Sequence, residues 1–259
     1  VTAAEIIFFW VARMIMAGFE FMRDLPFSDV YINGTVRDEI GRKMSKSLGN
    51  GIDPLLMIER YSTDSVRFSL LMLASEGQDI NLSESRFEMG RNFSNKIWNA
   101  FRFLSLNTGD LPPEDRPRDV ALLEEQELAD HWIKSRYYRT VQTVSDGIDK
   151  YRPHDAVKAL YDFFWHDLCD WYIESAKFRL DEKAEARDRA AARETLATVL
   201  DDALRMLPPF VPYLSEEVWG KLKATAAEAG LRAAERMQAD ALVVAPWPDD
   251  HLQALEYQW

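Results

Sequence analysis

Two lysines, Lys43 and Lys46, and two serines, Ser45 and Ser47, crowd into the stretch Gly41-Arg-Lys-Met-Ser-Lys-Ser-Leu-Gly-Asn50. Glycines at both ends let the backbone turn without a side-chain penalty. Each lysine offers a mobile ammonium point charge that can follow a phosphate through a reaction, and each serine adds a hydroxyl donor. Residues of these types in one short loop read as a polyphosphate clamp. No comparable metal chemistry is legible, because the four histidines at 131, 154, 166 and 251 have no ligand spacing.

The elements that must position this loop lie on either side of it. Asp29-Val-Tyr-Ile-Asn-Gly-Thr-Val36 has the β-branched and aromatic content of a buried strand, and Ile52 to Arg60 has apolar residues at helical spacing. A loop between a strand and a helix is where open α/β sheets bind ligands. Upstream, Glu5 to Phe21 is apolar almost throughout, with Arg13 and Glu20 the exceptions, and predicts a core helix buried on most sides, Ile7, Phe8, Phe9 and Met14 included. Arg13 also interrupts it as a membrane span or signal peptide.

Downstream the pattern is helical. Asp53-Pro54 opens one helix, and Ser62 or Thr63 caps a second that runs through Leu73 with Asp64 in its first turn. Ile80-Asn-Leu82 can form an isolated strand. A long helix covers 86–107, the proline-rich stretch Leu111 to Pro117 breaks it, and helices over Ala121 to Lys150, Pro153 to Leu180 and Arg187 to Leu207 predict a bundle. Ser215 followed by two glutamates reads as a further N-cap. Ala224 to Ala241 is alanine-rich and helical, and Ala245-Pro-Trp-Pro248 is an extended stop.

The chain has 259 residues, is 47% apolar and 12% aromatic, and can therefore bury one large or two moderate cores. A single cysteine excludes an internal disulfide framework and points to a cytoplasmic protein without structural zinc. Cys169 sits in the apolar run Phe163 to Ile173, where a thiol is inert. The net charge of -12 runs against polyanion binding, but its distribution is uneven. Residues 109–130 carry eight acids against Arg116 and Arg118, whereas 131–158 carry six bases, including Arg136 and Arg139, against three aspartates. Arg91 and Lys96 add to a basic bias on the helix before. This allows a local basic face on an acidic protein. The chain opens without methionine and its first residues read as the interior of a folded unit, so a fragment is expected.

All five residues of Lys43-Met-Ser-Lys-Ser47 match the second ATP-binding motif of class I aminoacyl-tRNA synthetases. The flanking Ile6-Ile-Phe-Phe-Trp-Val-Ala-Arg-Met14, Gly49-Asn-Gly-Ile-Asp-Pro54 and Asn92-Phe-Ser-Asn-Lys-Ile-Trp-Asn-Ala100 resemble valyl-tRNA synthetases in particular, and the likeness extends to about Pro248. It implies a mainly α chain: the C-terminal remnant of a Rossmann-like α/β catalytic domain over 1–50, a connective region over 51–85, an anticodon-binding helical bundle over 86–223, and a linker or the start of a tail over 224–259.

The resemblance further implies ATP with Mg2+, valine and tRNA(Val) as partners, no membrane, and a monomer at full length. Lys43 and Lys46 become the catalytic pair, Lys46 foremost. Met44, Ser45 and Ser47 complete the ATP loop, with Met44 anchoring it. Ile6 and Trp10, one helical turn apart, become walls of a valine pocket. Arg91, Lys96, Arg136 and Arg139 become tRNA contacts. Three departures stand out: Ala3-Ala-Glu5 replaces a glycine, an aromatic and an aspartate, while Asn33 and Pro208 replace histidines. The chain contains no His-x-Gly-His motif and no editing domain, so neither half-reaction is expected of it alone. The competing readings are an isoleucyl-tRNA synthetase fragment and a stand-alone tRNA-binding module.

Overall fold

The computed structural model describes residues 1–75, 77–108 and 126–248. The proline-rich stretch after residue 110 lies outside the described residues. Among the described residues two small parallel pairs make up the sheet structure: β1 (Thr2–Ala3) pairs with β2 (Ile32–Asn33), and β3 (Val36–Arg37) pairs with β4 (Ile80–Asn81). The strand expected across 29–36 is thus split in two, and Ile32 is 45% exposed. The helical run 4–22 forms, as a 3-10 turn, a π turn, α1 (Ala12–Ala17) and a second π turn.

It is not buried. Phe8, Phe9, Trp10, Met14 and Phe21 all face solvent, and only Val11 is inside. The expectation of a core helix is corrected for a physical reason: two-residue strands present no sheet face wide enough to cover an apolar helix.

From residue 53 onward local sequence and structure agree. The Asp53 carboxylate accepts from the Leu55 amide at 2.9 Å and starts α2 (Pro54–Tyr61) with proline in its first turn. Ser62, at φ 83°, accepts from Ser65 N at 3.3 Å and caps α3 (Thr63–Leu73). Helix α4 (Glu88–Thr108) crosses α3 so closely that a Cβ on Gly90 would come within 2.1 Å of the Ser65 carbonyl oxygen. Only glycine fits. At the same crossing Phe68 stacks on Phe93 with centroids 4.2 Å apart.

The bundle continues through α5 (Leu128–Asp149), α6 (Pro153–Asp162), a π-helical stretch Phe163–Tyr172, α7 (Ile173–Leu180), α8 (Ala186–Arg205) and α9 (Pro212–Glu228). Phe93, Ile97, Leu104, Tyr137, Val141, Leu160, Phe164, Leu168, Leu200, Leu204 and Trp219 meet in one core. Beyond residue 224 the chain stays packed rather than leading away. Helix α10 (Ala233–Arg236) follows a turn at Gly230, and Leu231, Met237 and Leu242 enter the same core.

Ionic contacts lock the interior. Asp130, fully buried, accepts from Tyr172 Oη and Arg179 at 2.6 Å each and also closes a capping box with Glu127 at the start of α5. Asp201, equally buried, accepts from Arg205 Nε at 3.0 Å and from Trp219 Nε1 at 2.8 Å. Helix α9 has a cap that the sequence does not disclose. Ser215, expected to be its N-cap, is inside the helix, and Asp64 of α3 instead accepts from the amides of Tyr213 and Leu214 at 3.4 and 2.6 Å.

Candidate functional site

The 41–50 loop is held at its base and open at its tip. Gly41 and Gly49 have φ of 81° and 63°, the left-handed values that glycine alone adopts freely. Met44 packs its side chain on the small cluster of Met57, Val66, Leu82 and Phe87, and its amide donates to the Val36 carbonyl at 3.1 Å. These two contacts tie Met44 to the protein beneath the loop. Ser45 N donates to Asn50 Oδ1 at 3.0 Å, Leu48 N donates to Ser45 Oγ at 3.3 Å, and the two serine hydroxyls lie 3.1 Å apart.

Asp38 and Asn50 form a staple that motif reading passed over. Asn50 Nδ2 donates to Asp38 Oδ2 at 3.0 Å, while Arg42 gives Asp38 its amide at 2.8 Å and its Nε at 2.9 Å. These donors, the Asn50 amide foremost, hold the Asp38 carboxyl down to about 2. A depressed carboxyl contributes fully above its ordinary value near 4 and loses that contribution as pH falls toward about 2. The side-chain amide resonances of Asn50 should accordingly titrate with a midpoint of about 2. A midpoint near 4 would remove Asp38 from this role. Asp38→Ala should speed amide hydrogen exchange at Arg42 and Ser45 while moving the melting temperature by less than about 2 °C, since a surface contact is involved. The signal in the sequence was an acid and an amide flanking the two glycine turns.

The two lysines are not equivalent. Lys46 is exposed and has no ion-pair partner among the described residues, so its charge is free for a ligand. Lys43 is paired with Glu5, and both side chains are about half exposed. Such a pair is worth about 0 to 1 kcal/mol, so a phosphate can take the place of the carboxylate. Glu5 is one of the residues that depart from the family pattern. Ile6 and Trp10, on adjacent turns as expected, are 36% and 59% exposed and face solvent.

Of the four basic residues expected to contact tRNA, three lie beside an acid. Arg91 lies 3.8 Å from Glu88 and sits over the Tyr61 ring at 5.7 Å. Lys96 bonds Asp170 at 2.8 Å, lowering that acid, and lies 4.8 Å from the Trp165 centroid. Arg136 gives its Nε to Asp167 at 2.8 Å. Arg139 is exposed and, of the four, is the one without an ion-pair partner among the described residues. Burial pushes the Cys169 thiol up to about 12, in keeping with an inert role. Among the described residues no helix is long and apolar enough to cross a membrane.

Comparison with known proteins gives a consistent picture. Residues 130–259 match the family profile described as the anticodon-binding domain of tRNA ligase, and residues 1–83 match the profile of class I tRNA synthetases (I, L, M and V). The valine-tRNA ligase of Pseudothermotoga lettingae is 46% identical over 249 residues, covering 96% of this chain and 26% of its own length. That of Aquifex aeolicus is 47% identical over 232 residues, covering 86% of this chain and 20% of its own. The chain therefore spans about a quarter of these relatives. Among solved structures, a Mycobacterium tuberculosis methionyl-tRNA synthetase bound to methionyl-adenylate superposes with a TM-score of 0.68 at 23% identity, over 95% of this chain and 48% of that one. At that identity the likeness is one of fold.

Proposed function

The chain belongs to the class I tRNA ligase family, with the anticodon-binding domain of those ligases, and from that membership we propose that it works as the part of a valine-tRNA ligase bearing the second ATP loop and the tRNA-binding bundle. The observation that carries this reading is the identity of 44 to 47% to valine-tRNA ligases across 86 to 96% of the chain. The division at 50, 85 and 223 follows the roles: loop, connection, bundle and trailing segment.

The reaction joins valine to ATP with release of pyrophosphate and then moves the aminoacyl group to tRNA(Val). Attack at the α-phosphate leaves charge on the departing pyrophosphate, and positioned cations lower that barrier most. Lys46 meets the phosphates directly from its unpaired position. Lys43 joins once a phosphate displaces Glu5. Ser45 and Ser47 add hydroxyl donors, and Met44 keeps the base of the loop still while its tip moves. Magnesium arrives with the nucleotide, bound through phosphate oxygens and water in the usual manner of that ion. Ile6 and Trp10 present their exposed apolar side chains to the branched aliphatic side chain of valine. The full-length protein works in the cytoplasm as a monomer.

A substitution test is direct. These 259 residues would replace the matching segment of the Aquifex aeolicus ligase, and amino-acid-dependent ATP-pyrophosphate exchange would be measured with valine and with isoleucine. Exchange with valine at the parent's rate, and far less with isoleucine, is the expected outcome. A preference for isoleucine would replace valine by the runner-up. Loss of exchange with intact tRNA binding would favour a tRNA-binding module.

A further inference from the structure

Residues 1–33 stand apart from the rest of the chain. Strands β1 and β2 pair with each other, Ala3 opposite Asn33, and the apolar side chains of this run join none of the hydrophobic clusters formed by the later residues. The backbone crosses from one part to the other at Gly34, where a Cβ would come within 1.9 Å of the Gln78 carbonyl oxygen. Among the described residues, the one hydrogen bond or ion pair that joins the two parts runs from Lys43 of the ATP loop to Glu5, in the 3-10 turn after β1. Glu5 leads directly into Ile6 and, one turn on, Trp10. Lys43 has its backbone fixed on the other side, by an antiparallel bridge to Arg37 of β3 and by Asn50 Nδ2, which donates to its carbonyl at 3.4 Å. Both side chains of the pair are about half exposed, so solutes can reach it.

We propose that Glu5 and Lys43 form a clasp that closes the amino-terminal run onto the ATP loop, and that the phosphate chain of a nucleotide opens it by taking Lys43. The inference rests on the reading of 41–50 as an ATP loop and adds what that loop holds before a nucleotide arrives. An exposed pair of this kind is favoured over its separated ions by at most about five-fold, so it closes readily and yields readily. Its competitor is a polyphosphate bearing several charges. Lys46, which has no ion-pair partner among the described residues, meets the phosphate chain first and holds it beside Lys43 at a high effective concentration. Lys43 then changes partner. Its ammonium swings on a flexible four-carbon stem while its backbone stays bridged to β3, so the exchange needs no movement of the loop base. Once Glu5 is let go, the run carrying Ile6 and Trp10 keeps no hydrogen bond or ion pair to the described residues beyond Gly34, and the wall proposed for valine is released by the arrival of ATP.

The test uses the intact 259-residue chain, a water-soluble carbodiimide that joins a carboxylate to an amine only when the two touch, and inorganic tripolyphosphate as the probe. Peptide mapping should find an amide between Glu5 and Lys43, and tripolyphosphate should suppress it. The Glu217–Lys221 pair on α9, 3.1 Å apart at the surface, is the reference crosslink and should be unaffected. Lys46→Ala should crosslink as the parent does but need roughly ten-fold or more tripolyphosphate for suppression, since a charge-assisted contact to the phosphate is lost. Glu5→Gln should lose the crosslink, and its Lys43 should react with an amine-acylating reagent about two- to five-fold faster than in the parent, with Lys46 and Lys221 unchanged. If Glu217–Lys221 forms and Glu5–Lys43 does not, there is no clasp. If the Glu5–Lys43 crosslink persists at tripolyphosphate concentrations that shield Lys46 from acylation, phosphate does not open the clasp and the inference is overturned, while the ATP-loop reading stands. If tripolyphosphate shields neither lysine and leaves the crosslink intact, the ATP-loop reading falls, and this inference with it.

Discussion

Asp201→Ala is expected to lower the melting temperature of the chain by about 6 to 20 °C, the equivalent of about 3 to 5 kcal/mol. The aspartate is fully buried, and three donors converge on it: two nitrogens of Arg205 and the indole nitrogen of Trp219. Arg205 is only 8% exposed and Trp219 1%, so neither finds water when the carboxylate goes. A buried guanidinium stripped of its carboxylate and left with the Arg236 carbonyl is the main cost, and an orphaned indole N–H adds to it. Asp170→Ala is the internal control. That carboxylate also serves two partners, Lys96 and His166, but it is exposed at the surface, and its loss should cost less than about 1 kcal/mol. Equal melting temperatures for the two variants would contradict the burial argument.

Lys46→Ala, in a full-length ligase carrying this segment, should slow valine-dependent ATP-pyrophosphate exchange by roughly ten- to over a hundred-fold while valine affinity changes little. A charge-assisted contact made to the departing phosphate is worth about 1.5 to 3 kcal/mol, and it is realised in the transition state rather than in amino-acid binding. Lys46 is exposed and has no ion pair among the described residues, so its removal strands no partner there and should not disturb the fold. Thermal melts separate the two effects. Unchanged exchange would remove Lys46 from the chemistry, and loss of valine affinity in proportion would assign it to ground-state binding.

What the sequence made legible was local. Asp53-Pro54 and Ser62 announce their helices because a cap bonds amides two or three residues away. Gly41 and Gly49 mark turns for an equally local reason. The bundle helices follow from apolar spacing. What escaped depends on residues brought together from afar. Glu5 reaches Lys43 across 38 positions, and Asp201 is sought out by Trp219, which is 18 positions on and in another helix. Lys96 and Arg136 looked like free cations in the sequence, but the π-helical stretch supplies Asp170 and Asp167 to hold them. The same stretch leaves Trp171 69% exposed although it follows the buried Phe164 by seven residues. At the amino end, apolar content was read as burial. Composition reports a need to be covered, not the cover.

The Asp64 contact to α9 bears on where the chain can be divided. A cut at residue 85 looks clean in the sequence, since it separates a connective region from a bundle. It would take away the carboxylate that serves the Tyr213 and Leu214 amides, the Arg67 guanidinium that donates to the Pro209 carbonyl at 3.0 Å, and the Phe68 ring stacked on Phe93. The bundle would be left with an open helix end and a bare aromatic. The portable unit, the piece that could be moved to another protein with its ends satisfied, begins ahead of Ser62.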